Sequence, residues 1–220
     1  MLQNILHIAK DENFLGMEMQ TIWTLVDTCI IPTILYGTET WKFSQQEEKE
    51  INSIFTQLLK RIIKTPVTTP NENILIETGY KNITEQIKMK KLLYANKIKE
   101  RETNNLQRKY LNEASDEWTK EIKQLEKAYN LENTTWNNTK MKKTIKEKMN
   151  ENLEKEIEQT QNTKSKLKYL TNSIQRKITE KPEYIEKLTR NEISNIFRYR
   201  ARMTAVRHNF KGTRNITKCR

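Results

Sequence analysis

The densest set of groups able to do chemistry lies at the end of the chain. From Arg190 it reads RNEISNIFRYRARMTAVRHNFKGTRNITKCR, with Arg190, Arg198, Arg200, Arg202, Arg207, Lys211, Arg214, Lys218 and Arg220 opposed by Glu192 alone. Arginine keeps its charge and presents a planar fork of donors that suits bidentate contact with phosphate. On a helix turning by about 100° per residue, Ile193, Ile196 and Phe197 share one side, and Arg198 and Arg202 lie four apart on the other. A helix docked by Ile193 and Phe197 aims Arg198 and Arg202 outward, with Arg207 and Lys211 following. Arg200 falls near the apolar side, where a carboxylate partner would hold the helix in place. From charge alone, a phosphate-binding helix and a merely solvated one stand level.

Two further clusters, Lys60, Arg61 and Lys64, then Lys88, Lys90 and Lys91, offer a second basic patch, although a solvated face is the simpler reading of each. Tyr36 and Trp41 have the rings to stack bases, but aromatics beside an apolar run belong more often to a core. Enzyme signatures are missing. There is no phosphate-cradling G-x-x-x-x-G-K, no G-x-S-x-G, no H-E-x-x-H and no adjacent aspartate pair to hold two metal ions. Asp11, Asp27 and Asp116 are scattered, His7 and His208 stand at opposite ends, and so do Cys29 and Cys219. No metal site and no cofactor are expected.

The elements that must position these groups follow from composition. Forty Lys plus Arg against 28 Asp plus Glu give a net charge of +12, which makes a polyanion the first partner to consider. Four Gly and four Pro in 220 residues are too few for turn-dense β folds or Rossmann units, so the expected class is all-α. No run approaches the roughly 18 apolar residues of a membrane span. The polar start, Met1 to Asn13, does not read as a signal peptide. An intracellular, reducing setting in nucleus or cytoplasm is expected, without a membrane partner; self-association is left open.

Apolar residues divide the chain into a helical bundle over 1–100, a charged helical linker over 101–180, and a basic helix and tail over 181–220. In the first helix Ile22, Leu25, Val26 and Cys29 share a face, and Pro32 is expected to kink or restart it. Gly37 then supplies a left-handed turn. Ser44 with Glu47 forms a capping box, opening a helix whose Ile51, Ile54, Phe55, Leu58, Leu59 and Ile62 make one stripe ending before Pro66. Thr69-Pro70 caps a short helix closed by Gly79. The next, from Asn82 or Thr84 to Ile98, is apolar on more than one face and must be sandwiched. In the middle, Trp118, Leu125, Ile145, Met149 and Leu153 give only an intermittent stripe, so a solvated linker is expected there.

The segment ILYGTETW, Ile34 to Trp41, preceded by IIP, resembles the region after the catalytic palm in reverse transcriptases of non-LTR (LINE-type) retrotransposons. There a P-x-L-x-Y-G-x-E-x-W pattern opens the thumb, matched by Pro32, Tyr36, Gly37, Glu39 and Trp41, with Leu35 one place late. Residues 50–98 are similar to the rest of that thumb. FRYRARMTAVRHNFKG is similar to the stretch before the terminal cysteine-rich knuckle, with Arg200, Arg202, Met203 and Asn209 in register. On this resemblance Cys219 is the first knuckle ligand, and the chain is a C-terminal fragment or degenerate copy whose palm aspartates lie upstream.

The resemblance and the charge together imply binding of RNA or an RNA–DNA hybrid through backbone phosphates, without polymerase activity. The expected contacts are Arg198, Arg202, Arg207 and Lys211, backed by Lys60, Arg61, Lys64, Lys90 and Lys91. The alternative is an intracellular helical module that binds protein, its charge serving solubility.

Overall fold

The computed structural model describes residues 16–102, 105–114, 116–131, 137–161, 170–171 and 180–201, and all regular structure among them is helical. The chain is all-α, as its composition requires.

Helix α1, Met19–Leu25, runs without a break into a π-helical turn, Val26–Ile30, and resumes as α2, Ile31–Leu35. Pro32 does not restart the helix. Ile31 keeps helical angles (φ −60°, ψ −49°), and its N–H reaches the Val26 carbonyl five residues back. Proline lacks an N–H, and its ring crowds the carbonyl four residues earlier, here that of Thr28. Widening the preceding turn is one way to make room without leaving the helix. The extra residue also moves the buried face. Ile22, Val26, Ile30 and Ile34 are buried and Cys29 is exposed, so Ile30 takes the place expected of Cys29. Gly37, at φ 72°, turns the chain after α2 as expected.

Helix α3, Gln45–Ile63, opens on the expected capping box, with Glu47 N–H on Ser44 Oγ at 3.3 Å and Ser44 N–H on Glu47 Oε2 at 2.8 Å. It closes on Lys64 in the left-handed region (φ 57°). There Thr65 N–H bonds Lys60 O at 2.9 Å and Lys64 N–H bonds Arg61 O at 3.1 Å, the paired pattern that commonly ends on glycine. Helix α4, Asn71–Thr78, has Pro70 rather than Thr69 at its N-cap and ends on Gly79 at φ 71°. A methyl on Gly79 would lie 2.7 Å from the Lys181 nitrogen, so the position is glycine for its angles and for the backbone pressed against it.

Helix α5, Ile83–Lys99, takes its N-terminal cap from α3: Asn52 Oδ1 accepts from Thr84 N–H at 3.3 Å, and Asn52 Nδ2 donates to Thr84 Oγ1 at 2.9 Å. Its apolar residues do cover more than one face, and the middle of the chain supplies the cover. Helices α6 (Leu106–Glu113), α7 (Glu117–Ala128) and α8 (Asn138–Gln161) all contact α5. Ala95 and Ile98 pack with Leu111 and Ile122; Leu92 packs with Tyr129, Leu131, Met141, Ile145 and Met149. Farther along α8, Leu153 and Ile157 join the main core of α1 to α4. Over its described residues the middle therefore packs on α5 instead of standing as a solvated linker. Its intermittent stripes are weak alone, but α5 exposes the complementary apolar surface, and burial is favourable roughly in proportion to the area removed from water.

Two last elements, α9 (Tyr184–Lys187) and α10 (Arg190–Arg200), return to the main core through Ile185, Ile193 and Phe197. Buried Trp23 donates Nε1–H to Ile185 O at 2.8 Å, satisfying the indole where α1 meets α9.

Candidate nucleic-acid interface

Thr189 and Glu192 form a second capping box at the start of α10, and from this fixed start the basic face is aimed at the C-terminus of α3. Arg190, buried, donates Nε–H to Ile62 O at 2.9 Å and Nη2–H to Arg61 O at 2.8 Å. One turn on, Ser194 Oγ–H reaches Lys64 O at 3.1 Å, and Arg198 Nη2–H reaches the same oxygen at 2.9 Å. The last carbonyls of a helix lack intrahelical partners and carry the negative end of its dipole. Three side chains four residues apart satisfy them here. Arg198 thus points at another helix rather than into solvent, against the expectation from the helix face.

Arg200 behaves as expected of a positioning side chain. Its Nη1 lies 3.1 Å from Oε1 of fully buried Glu77 and 2.9 Å from the Tyr184 hydroxyl. Arg202, Arg207 and Lys211 lie outside the described residues, as does Cys219.

The second basic patch divides by burial. Lys60 is buried and donates to Val67 O at 3.0 Å; desolvation holds its pKa below the usual lysine value, with Glu72 opposing. Lys91, only 1% exposed, is clasped by both oxygens of Glu121 at 2.7 and 2.9 Å. Lys90 bridges Glu39 at 2.8 Å and the Leu35 carbonyl. Lys64 Nζ reaches Asn191 Oδ1 at 3.4 Å, and Arg61 is exposed. These five residues do not converge on one outward surface.

The segment that carries the family resemblance is fastened at several points. Lys90 holds Leu35 O and Glu39; Thr38 Oγ–H also donates to Leu35 O at 2.9 Å, and Trp118 Nε1–H donates to Glu39 O at 2.9 Å. Between these ties Tyr36 is 79% exposed and Trp41 58% exposed, so neither ring is core.

Cations that sequence spacing did not single out lie exposed. Lys97 on α5, Lys120, Lys123 and Lys127 on α7, and Lys142 on α8 are exposed and make no ion pair among the described residues. The signal for them was available only in part. Lys120, Lys123 and Lys127 recur at helical spacing, but Lys97 and Lys142 come together through the docking of α8 on α5. Among the described residues no three His, Cys, Asp or Glu side chains converge as a metal site would need, and no helix is long and apolar enough to cross a membrane. Asp27 accepts from Tyr80 Oη–H at 2.7 Å, and Asp116 caps α7 through Thr119 N–H at 3.1 Å.

Compared with family models, curated proteins and solved structures, the chain finds no match.

Proposed function

We propose that this chain is a nucleic-acid-holding part of a non-LTR retrotransposon-type reverse transcriptase, acting inside the cell on RNA or an RNA–DNA hybrid and carrying no polymerase chemistry itself. The observation that supports the reading is positive charge left over after folding. The net charge is +12, and the exposed lysines at 97, 123, 127 and 142 have no carboxylate within ion-pair distance among the described residues, while Lys120 is partly offset by Glu117. Such lysines gain affinity for a polyanion by releasing its condensed counterions. The resemblance over Pro32 to Trp41 supplies the family, and the exposure of Tyr36 and Trp41 suits contact with bases.

Fluorescence anisotropy of the full chain with a labelled RNA–DNA hybrid tests the reading across about 50–200 mM salt. Log affinity should fall linearly with log salt, by about 0.7–0.9 per phosphate contacted. Absence of binding to hybrid and to RNA alike, or affinity indifferent to salt, overturns it. Primer extension by the chain alone would overturn the non-catalytic part.

A protein-binding helical module is the second reading, favoured by Leu106 at 82% and Val67 at 75% exposure. Sedimentation equilibrium showing self-association, with no nucleic-acid binding, is its signature.

A further inference from the structure

Two grooves adjoin along α5. One, of about 540 Å³, lies between α5 and the start of α8 and is lined by Glu39, Lys90, Tyr94, Lys97, Asn138 and Lys142 among others. The other, of about 700 Å³, lies beside α6 and α7 and includes Thr40, Tyr94, Ile98, Leu106, Tyr110 and Trp118. Tyr94 lines both. The consecutive pairs Glu39–Thr40 and Lys97–Ile98 each place one residue in either groove. The two grooves are therefore neighbours with Tyr94 as a common wall, and are taken together as one trough.

The halves differ in chemistry. In the first, Glu39 is spent on Lys90 at 2.8 Å, leaving Lys97 and Lys142 as cations without an ion-pair partner among the described residues. No acidic residue occupies the first turn of α8 to neutralise them. In the second, ring faces are held in place. Trp118 is pinned through Nε1–H to Glu39 O, Tyr94 meets its ring edge-on at 6.4 Å, and Tyr110, 52% exposed, donates its hydroxyl to Asp116 at 2.8 Å. Glu113 and Asp116 also line this half. Against them stands one cation, Lys109, so this half carries no net positive charge to seat a phosphate and its ring faces are its attraction.

We propose that this trough binds single-stranded nucleic acid, its phosphates against Lys97 and Lys142 and an unstacked base among Tyr94, Trp118 and Tyr110. A cationic track beside aromatic platforms is what a strand with free base faces can use, whereas a duplex keeps its bases in its own stack. The inference rests on the proposed function and adds strandedness and place to it.

The test compares a labelled single-stranded RNA of about 12 nucleotides, within the usual site sizes, with an RNA–DNA hybrid duplex of the same length, on the full chain by fluorescence anisotropy. Lys97→Glu with Lys142→Glu should weaken single-strand binding about tenfold or more and lower the salt slope by roughly 1.4, two contacts at about 0.7 each. Tyr110→Ala should weaken it about tenfold with the slope unchanged, since stacking is not ionic. Lys120→Glu with Lys123→Glu, the same charge change on the exposed side of α7, should cost less than the trough pair. Far-UV circular dichroism checks that each variant keeps its helicity. Tighter binding to duplex, equal losses from both lysine pairs, or indifference to Tyr110→Ala overturns the trough while leaving nucleic-acid binding in place. Failure of the unaltered chain to bind either form sinks the parent reading as well.

Discussion

Arg198 and Lys64 meet through the main chain of the lysine: Nη2 of the arginine donates to the Lys64 carbonyl oxygen at 2.9 Å. Two basic residues that both read from sequence as phosphate contacts are bonded to each other across 134 positions. Positive side chains on α10 face the negative end of α3, so part of the chain's charge works within the fold.

Arg190 should matter more to stability than Arg198. Arg190→Ala takes the arginine donor from the Ile62 carbonyl, leaves Arg61 O with the Lys64 N–H alone and opens a cavity where a buried side chain stood, and a loss of about 3 kcal/mol follows. Arg198 makes one such bond, and its Nε is buried without an acceptor, so Arg198→Ala should cost about 1 kcal/mol. Urea midpoints at constant m-value give both numbers. Equal losses would mean that the carbonyl contacts do not set the scale.

Gly79 and Gly37 share nearly the same positive φ, 71° and 72°, but not the same surroundings. An alanine at 37 meets only Trp41 at 4.0 Å, so Gly37→Ala should cost the conformational strain alone, about 1 kcal/mol. At 79 the new methyl would press on the main chain at Lys181, 2.7 Å away. Gly79→Ala should cost about 2 kcal/mol more and lower amide protection over 184–197, because that segment would have to shift. Matched thermal melts and hydrogen exchange decide it.

Lys91 and Glu121 form an ion pair with the lysine almost wholly enclosed. Removing only the lysine, as Lys91→Met, leaves the carboxylate without its partner and should cost about 3 kcal/mol. Adding Glu121→Leu to that variant should recover most of the loss, since an apolar pair of similar volume can replace a buried ion pair. A double-mutant cycle without recovery would show that the charge itself is needed.

Alkaline pH should unfold the chain through two phenols. Burial, with Asp27 at its hydroxyl, pushes the Tyr80 pKa far above the ordinary value of about 10; burial, with Glu85, does the same at Tyr129. The folded state keeps protons that the unfolded chain releases above pH about 10. The stabilisation from these raised values is complete below that pH and is lost as pH rises, by about 1.4 kcal/mol per unit for each phenol. Exposed phenols such as Tyr36 and Tyr199 ionise without unfolding, so it is the last phenolate absorbance to appear that should accompany loss of helicity, and Tyr129→Phe should reduce the pH dependence of stability.

How much of this was readable from sequence depends on where each cause resides. The Ser44–Glu47 box, the Gly37 and Gly79 turns and the two-sided character of α5 are local, and spacing exposes them. Thr189-x-x-Glu192 is the same signature and marks the start of α10 just as openly. The pairing of Arg200 with a carboxylate follows from its angle on the helix. The outward aim of Arg198 failed because helix-face arithmetic fixes relative directions but not neighbours. The acceptors it meets are backbone carbonyls, invisible in any pattern of side chains. Cys29 lost its place to Ile30 because one widened turn shifts every later residue. The trough joins α5 to elements as far on as residue 142, and no local spacing contains that meeting.

Helix α5 touches all three apolar clusters: Ile83 in the first, Leu92 in the second, Ala95 and Ile98 in the third. It acts as a shared spine on which separate patches of packing hang, and local opening need not spread evenly from one to another. Because Lys97 and Tyr94 sit on that spine, any strand held there would brace α6, α7 and α8 against it, and the gain in rigidity would be felt most where the packing is thinnest.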